Sequence, residues 1–213
     1  MRVLVACEAS GIVRDAFRRL GHDAWSCDLV PTAAPGPHLE RDARELLGDG
    51  WDLVIAHPPC TYLASSGLHW NRRRPGRDAL TLEAIAFVRE LLAAPVPRIA
   101  IENPIGCLTR AIRRPDQILH PWQFGEDASK ATCLWLVGLA PLVPTALVAP
   151  RVVAGRPRWA NQTDSGQNRL GPSPDRAARR ARTYPGIAAA MAAQWGTAAR
   201  RPAQAPLFAS GIP

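Results

Sequence analysis

Lysine is all but absent from this chain of 213 residues: Lys130 stands alone, and arginine supplies every other basic side chain. Paired cysteine motifs are missing too. The five cysteines, Cys7, Cys27, Cys60, Cys107 and Cys133, are odd in number, widely spread and nowhere spaced as Cys-x-x-Cys. That pattern argues against a disulfide framework and against a zinc site. No apolar run approaches the length of a membrane-spanning helix. The opening Met1-Arg2-Val3-Leu4-Val5-Ala6 lacks the charged region, long apolar stretch and cleavage site of a secretion signal. It reads as a first strand, so the expected location is the cytoplasm.

What the chain has is a core and positive charge. An apolar fraction of 47% supports one domain with a modest appendage. The net charge of +8 favours a polyanionic partner. Eight arginines from Arg151 to Arg182, against Asp164 and Asp175, concentrate the excess in one segment. The arginine-for-lysine skew, with so much Ala and Pro, also fits a compositional bias of the encoding genome.

The first half alternates short apolar runs with helical periodicity, the pattern of a parallel sheet covered by helices. Strands are expected at 2–7, 23–27, 52–56 and 98–101, with a further one at 132–139. Helices are expected at Ile12 to Leu20 with Gly21 as C-cap, around 42–47, and at 80–92. Residues 1–145 read as the core and 146–183 as a short, irregular basic segment. Residues 184–197 read as a helix returning to the sheet, and 198–213 as a disordered tail.

Two strand ends carry chemistry. Asp52-Leu53-Val54-Ile55-Ala56 runs into His57-Pro58-Pro59-Cys60, and Arg98-Ile99-Ala100-Ile101 runs into Glu102-Asn103-Pro104. Open α/β sheets build their sites at such carboxyl ends. Most cysteines are inert core residues, but Cys60 precedes small polar residues, Thr61 to Gly67, that read as a mobile loop. A carboxylate ending Ile-Ala-Ile is partly desolvated, which raises its pKa and helps it hold a proton. Gly11 at the first strand–helix turn and Asp28 after the second strand follow the logic of adenosine-binding folds. Only one glycine of a Gly-x-Gly-x-x-Gly pattern is present, so Gly11 is equally readable as a plain turn residue.

These residues together resemble a DNA cytosine-5 methyltransferase of the short form found in phages and prophages. Pro58-Pro59-Cys60 matches that family's nucleophile motif, and Glu102-Asn103-Pro104 is similar to its Glu-Asn motif, which more usually ends in valine. Val5-Ala6-Cys7-Glu8-Ala9-Ser10-Gly11 occupies the place of its glycine-rich cofactor loop. Asp28 matches its ribose-binding acid, and Asp42 is a candidate for the adenine-contacting one. The resemblance covers about Arg2 to Leu139, plus the helix around Tyr184-Pro185-Gly186-Ile187.

The resemblance implies an α/β, Rossmann-like S-adenosylmethionine-dependent methyltransferase sheet with a small irregular basic appendage. It implies methyl transfer to carbon 5 of cytosine in DNA, duplex or single-stranded, through a covalent cysteine adduct and base flipping. Cys60 is then the nucleophile, Glu102 the partner of ring nitrogen 3, and Cys7, Glu8, Ser10, Gly11, Asp28, Asp42 and Pro58 the cofactor site. No metal or membrane is expected, and a monomer is. The family's Gln-x-Arg-x-Arg motif has no counterpart. Lys130 is the candidate cation in its place, or else an ordinary surface lysine. Asn103, Arg72, Arg73 and Arg74, with Arg158, Asn168 and Arg169 of the basic segment, are the candidate DNA contacts.

Two departures stand out: the cofactor loop lacks a second glycine, and no separate target-recognition domain exists beyond the basic segment, whose composition also suits a disordered linker. An amino-methyltransferase fits poorly, since His57 precedes the prolines and Cys60 follows them. The same chemistry on RNA or a free pyrimidine nucleotide stays open, as does a non-catalytic DNA-binding protein on a methyltransferase scaffold.

Overall fold

Three continuous apolar runs, Val3 to Ala6, Leu53 to Ala56 and Ile99 to Ile101, are almost completely buried, as parallel strands covered on both faces must be. The computed structural model describes residues 1–173 and 176–197. In it the three runs become β1 (Arg2–Ala6), β4 (Leu53–Ala56) and β5 (Ile99–Pro104). Around them lie β2 (Asp23–Asp28), β3 (His38–Glu40), β6 (Gln117–Leu119) and β7 (Thr132–Val137). The sheet order is β3-β2-β1-β4-β5-β7-β6. Pairing from β3 through β5 is parallel. β7 runs antiparallel to both β5 and β6.

This is an α/β, Rossmann-like sheet, with β7 inserted where the dinucleotide-binding order 3-2-1-4-5-6 would place β6 directly. The parallel sheet expected for the first half is present in β1 to β5; the later β7 runs antiparallel and ends before Gly138 (φ 62°).

Alternation of side chains assigns each strand residue to a face. Val3, Val5, Leu53 and Ile55 pack beneath α1 (Ile12–Arg19) and α6 (Pro185–Gly196) with Phe17, Ile187, Met191 and Trp195. Leu4, Val54, Ile99 and Ile101 pack on the other face with Ile85, Val88 and Leu91 of α3 (Arg77–Leu92). The helix expected from residue 80 thus starts one turn earlier, behind Gly76. Short helices α2 (Ser65–Leu68) and α4 (Leu108–Ala111) follow the two strand ends that carry Cys60 and Glu102.

The segment expected to be irregular is folded. Arg151–Val153 (β8) and Arg156–Arg158 (β9) form an antiparallel hairpin, and Arg176–Ala181 forms α5. The Trp159 ring stacks on Trp122 at 5.5 Å between centroids and 18° between planes. Asn161 exchanges two bonds with the Ser129 backbone, each 2.9 Å, and the Ala160 amide donates to Asp127. Stacking and paired amide bonds of this kind leave no signature in composition. The tail 198–213, expected to be disordered, lies outside the described residues.

Arg14 is fully buried. It donates to the Ala34 and Pro35 carbonyls, to Ser26 and Thr32, and to Asp15 at 2.7 Å. It therefore fastens the loop between β2 and β3 to α1. Removing such a charge-assisted network leaves buried carbonyls unanswered. The Arg14→Met variant is expected to lose about 3 kcal/mol of unfolding free energy, read as a lower urea midpoint with an unchanged slope.

Candidate functional site

Ala56 of β4 lies level with Ile101 of β5. The next residues are therefore neighbours too: His57 beside Glu102, and Pro58 beside Asn103. His57 Nδ1 shares a 2.5 Å hydrogen bond with Glu102 Oε2, and the two side chains are only 10% and 11% exposed. Asn103, 2% exposed, donates from Nδ2 to the Pro58 carbonyl at 2.7 Å. That bond ties the end of β5 to the turn presenting Cys60. Asn103, expected to touch DNA, is buried and holds the turn that presents Cys60.

Cys60 is exposed, whereas Cys27 and Cys133 are buried and Cys7 and Cys107 half-buried. The stretch behind it, expected as a mobile loop, is a chain of short helical turns. Leu63 is completely buried. The Thr81 hydroxyl donates to the Tyr62 carbonyl at 3.2 Å, and Arg77 donates to the Thr61 carbonyl at 2.8 Å. Gly106, from the β5 side, lies so close that a Cβ there would sit 1.9 Å from the Leu63 carbonyl oxygen. One apolar anchor and side chains from α3 thus order a segment whose composition reads as flexible.

Glu102 departs from the sequence expectation. Burial pushes its carboxyl up, but the His57 charge and hydrogen bond, with Lys130 and the Thr183 hydroxyl, outweigh burial and hold it below the ordinary carboxylate value. Burial likewise pushes His57 down, yet Glu102 and the more distant Glu8 outweigh it and raise the imidazole above its usual value. Both shifts favour a protonated imidazole beside an ionised carboxylate. His57 and the buried Thr183 were missed as site residues. His57 was detectable, since each of the two residues directly follows its apolar run on what become adjacent parallel strands; Thr183 had no signal.

Lys130 acts on both members of this pair, and its Nζ donates to the Arg180 carbonyl at 3.0 Å. Arg72, Arg73 and Arg74 are exposed. Arg73 and Arg74 lie 5.7 and 4.7 Å above the partly exposed Trp70 ring, and Arg77 lies 4.6 Å above Tyr62. The basic-aromatic surface continues directly from the Cys60 turn. In the appendage, Arg158 donates to the Asp164 carbonyl and Arg169 to the Gln162 carbonyl, while the Asn168 side chain accepts from the Leu170 amide. Asn168 and Arg169 are exposed.

A second group of candidate residues lies past β1 and β2. Cys7 has a positive φ of 57°. Burial, and then the charges of Cys27, Asp28 and Asp42, push its thiol well above the usual range, so the three groups share one small region. Asp28 accepts from the Leu29 amide at 2.7 Å. Asp42 accepts from the Arg44 amide and pairs with its guanidinium at 3.0 Å.

Glu8, 5% exposed, faces inward: its carboxylate accepts from the Val13 and Arg14 amides and from the Ser10 hydroxyl. Gly11 (φ 73°) starts α1, and a Cβ there would meet the Arg14 guanidinium at 2.4 Å. Glu8, Ser10 and Gly11 therefore shape the loop from within. Pro58 is buried, and its carbonyl is taken by Asn103.

Among the described residues, no group of three or more His, Cys, Asp or Glu is placed to hold a metal ion, and no helix is long and apolar enough to cross a membrane.

No family model matches the chain, and no curated protein matches it. Among solved structures it is similar to a protein described as a DNA modification methyltransferase encoded within an E. coli prophage, with 14% identity over 70% of this chain and 52% of that one, TM-score 0.46. It is similar to the S. pombe Dnmt2 methyltransferase, with 17% identity over 66% and 51%, TM-score 0.44. It is also similar to the Entamoeba histolytica methyltransferase EhMeth, with 14% identity over 70% and 58%, TM-score 0.45. The chain thus spans between 51% and 58% of the length of these three structures.

Proposed function

We propose that this chain transfers a methyl group from S-adenosylmethionine to carbon 5 of cytosine in DNA, through a covalent adduct on Cys60. The observation that carries this reading is the pairing of an exposed cysteine turn with a nearly buried acid on adjacent parallel strand ends.

The acids past β1 and β2 favour a nucleoside without phosphates as the ligand there. In dinucleotide-binding folds the first helix points free amides and its positive dipole end at a phosphate. Here Glu8 occupies that position: it takes the Val13 and Arg14 amides, and Ser10 takes that of Ile12. Asp28 and Asp42 add two carboxylates nearby. An acid-capped, acid-lined site repels phosphate and suits ribose hydroxyls, an amine and a sulfonium. S-adenosylmethionine has all three, and the chemistry it supplies when bound is an electrophilic methyl group.

Cytosine carbon 5 is a poor nucleophile until a thiolate adds to carbon 6, which turns the ring into an enamine. Cys60 makes that bond, and Glu102 faces ring nitrogen 3 and stabilises the charge that develops. Lys130 is the candidate cation at the cytosine oxygen. After methylation a base takes the carbon-5 proton and the thiol leaves. A duplex must first extrude the base. Trp70 with Arg72, Arg73 and Arg74 offers a stacking face and phosphate contacts beside the nucleophile. Such a surface favours a polynucleotide over a free nucleotide.

DNA carrying 5-fluorocytosine is expected to trap the protein in a denaturation-resistant adduct, and Cys60→Ala to abolish it. Labelled methyl appearing on an exocyclic amine, or transfer surviving Cys60→Ala, would falsify the mechanism; transfer to RNA instead of DNA would keep the chemistry and change the substrate.

For the cofactor, calorimetry is expected to show binding of S-adenosylhomocysteine but not of ATP. Asp28→Ala is expected to weaken that binding about tenfold, the worth of a lost hydrogen bond to a charged group. Equal binding of ATP would contradict the phosphate-excluding site.

A further inference from the structure

The imidazole of His57 is held on one side and unanswered on the other. Nδ1 is bonded to Glu102 Oε2 at 2.5 Å, while Nε2 is buried with no hydrogen-bond partner among the described residues. With both ring nitrogens protonated and Glu102 ionised, the Nε2 proton is left without an acceptor, which costs free energy. The same number of protons can be arranged another way. Nδ1–H keeps its bond to Oε2, Nε2 is bare, and the proton sits on the second carboxyl oxygen. The bond between the two residues survives in both arrangements, so moving the proton does not disturb the geometry.

We infer that His57 is the positioning residue of Glu102 and that the two form a dyad holding one transferable proton for the target base. The inference rests on the proposed role of Glu102 at ring nitrogen 3. A bare carboxylate facing the lone pair of that nitrogen is repulsive, so the base needs a proton between them. When it arrives, the dyad passes to that second arrangement: Nε2 gives up its proton as the free carboxyl oxygen gains one, so the total is unchanged. As the sulfur of Cys60 bonds to carbon 6, that O–H bond breaks and an N–H bond forms at nitrogen 3. The ring pair displaced by the thiolate is thereby neutralised, and Glu102 is again a carboxylate. The charged groups facing the dyad are Glu8 after β1 and Lys130 before β7, with the Thr183 hydroxyl alongside.

Titration of the full-length chain with 15N-labelled histidine is the first test, with His57 assigned by the signal lost in His57→Gln. The imidazole is expected to stay protonated above the ordinary value of about 6.5. In Glu102→Gln it is expected to fall below that value, since burial and Lys130 are then opposed by Glu8 alone. Titration of His57 at or below the ordinary value in the wild-type protein overturns the dyad. This readout needs neither cofactor nor DNA, so it stands even if no adduct with 5-fluorocytosine DNA forms.

The rate of adduct formation against pH is the second test. The wild-type rate is expected to fall as pH rises through the raised His57 value, where the transferable proton is lost. His57→Gln is expected to be about 100-fold slower, with that limb displaced to lower pH. An unchanged profile, or a uniform loss with the limb in place, overturns the inference while leaving the Cys60 mechanism intact.

Stability gives a third readout. Glu102 is lowered, so its share is present above the ordinary carboxyl value and lost as pH falls through the folded one. His57 is raised, so its share is present below the ordinary imidazole value and lost as pH rises through the folded one. The melting-temperature gap between wild type and His57→Gln is therefore expected to be widest between about pH 4.5 and 6.5. A gap that does not vary with pH counts against the pair.

Discussion

Ala56 lies beside Ile101 in the parallel pairing of β4 and β5, and that register brings the two residues past the end of β4 against Glu102 and Asn103 of β5. It brings His57 to Glu102 and Pro58 to Asn103. A slip of one residue would turn each side chain to the opposite face, separating the imidazole from the carboxylate and releasing the turn that presents Cys60. The slip is resisted by the core, since Val54 and Ile99 belong to one buried layer and Ile55 and Ala100 to the other. The chemistry of the site is thus an extension of hydrophobic patterning two strands away from solvent.

The molecule sorts its charges by distance from the sheet. Next to the strand ends, acids are used inwardly: Glu8 caps α1, Asp42 caps the turn before Leu46, and Glu102 is paired with His57. Farther out, arginines ride on aromatic rings, as Arg74 does on Trp70 and Arg77 on Tyr62. Cation–π contact holds such side chains extended at modest cost, and Arg77 also donates to the Thr61 carbonyl. The inner arrangement favours a small cationic ligand and the outer one a polyanion.

Legibility in the sequence followed the length of the pattern. Strands β1, β4 and β5, with α1, α3 and α6, were readable because apolar runs and periodicity extend over a full element. The three-residue strands β3 and β6 carry no period to read, and their pairing comes from the sheet edges they complete. Glu102 was readable because it follows such a run directly, and Cys60 because it ends the Pro-Pro turn that follows another. His57 stood in the same position and was passed over, because its meaning depends on which strands become neighbours. The ionisation of Glu102 was misjudged for the same reason: burial was visible in Ile-Ala-Ile, the cation beside it was not. The order behind Cys60 and in residues 151–170 was hidden because it rests on Leu63, Thr81, Trp122 and Asn161 acting across long sequence separations.

The stack of Trp159 on Trp122 has a consequence for kinetics. A basic segment that folds only on meeting its partner gives up conformational freedom at the moment of binding, which weakens affinity for a given contact area. Here that freedom is surrendered during folding, with the segment after the hairpin held on Trp122 and Ser129. Encounter with the proposed polyanion would then resemble the docking of two preformed bodies, whose rate is set by electrostatic steering and ionic strength.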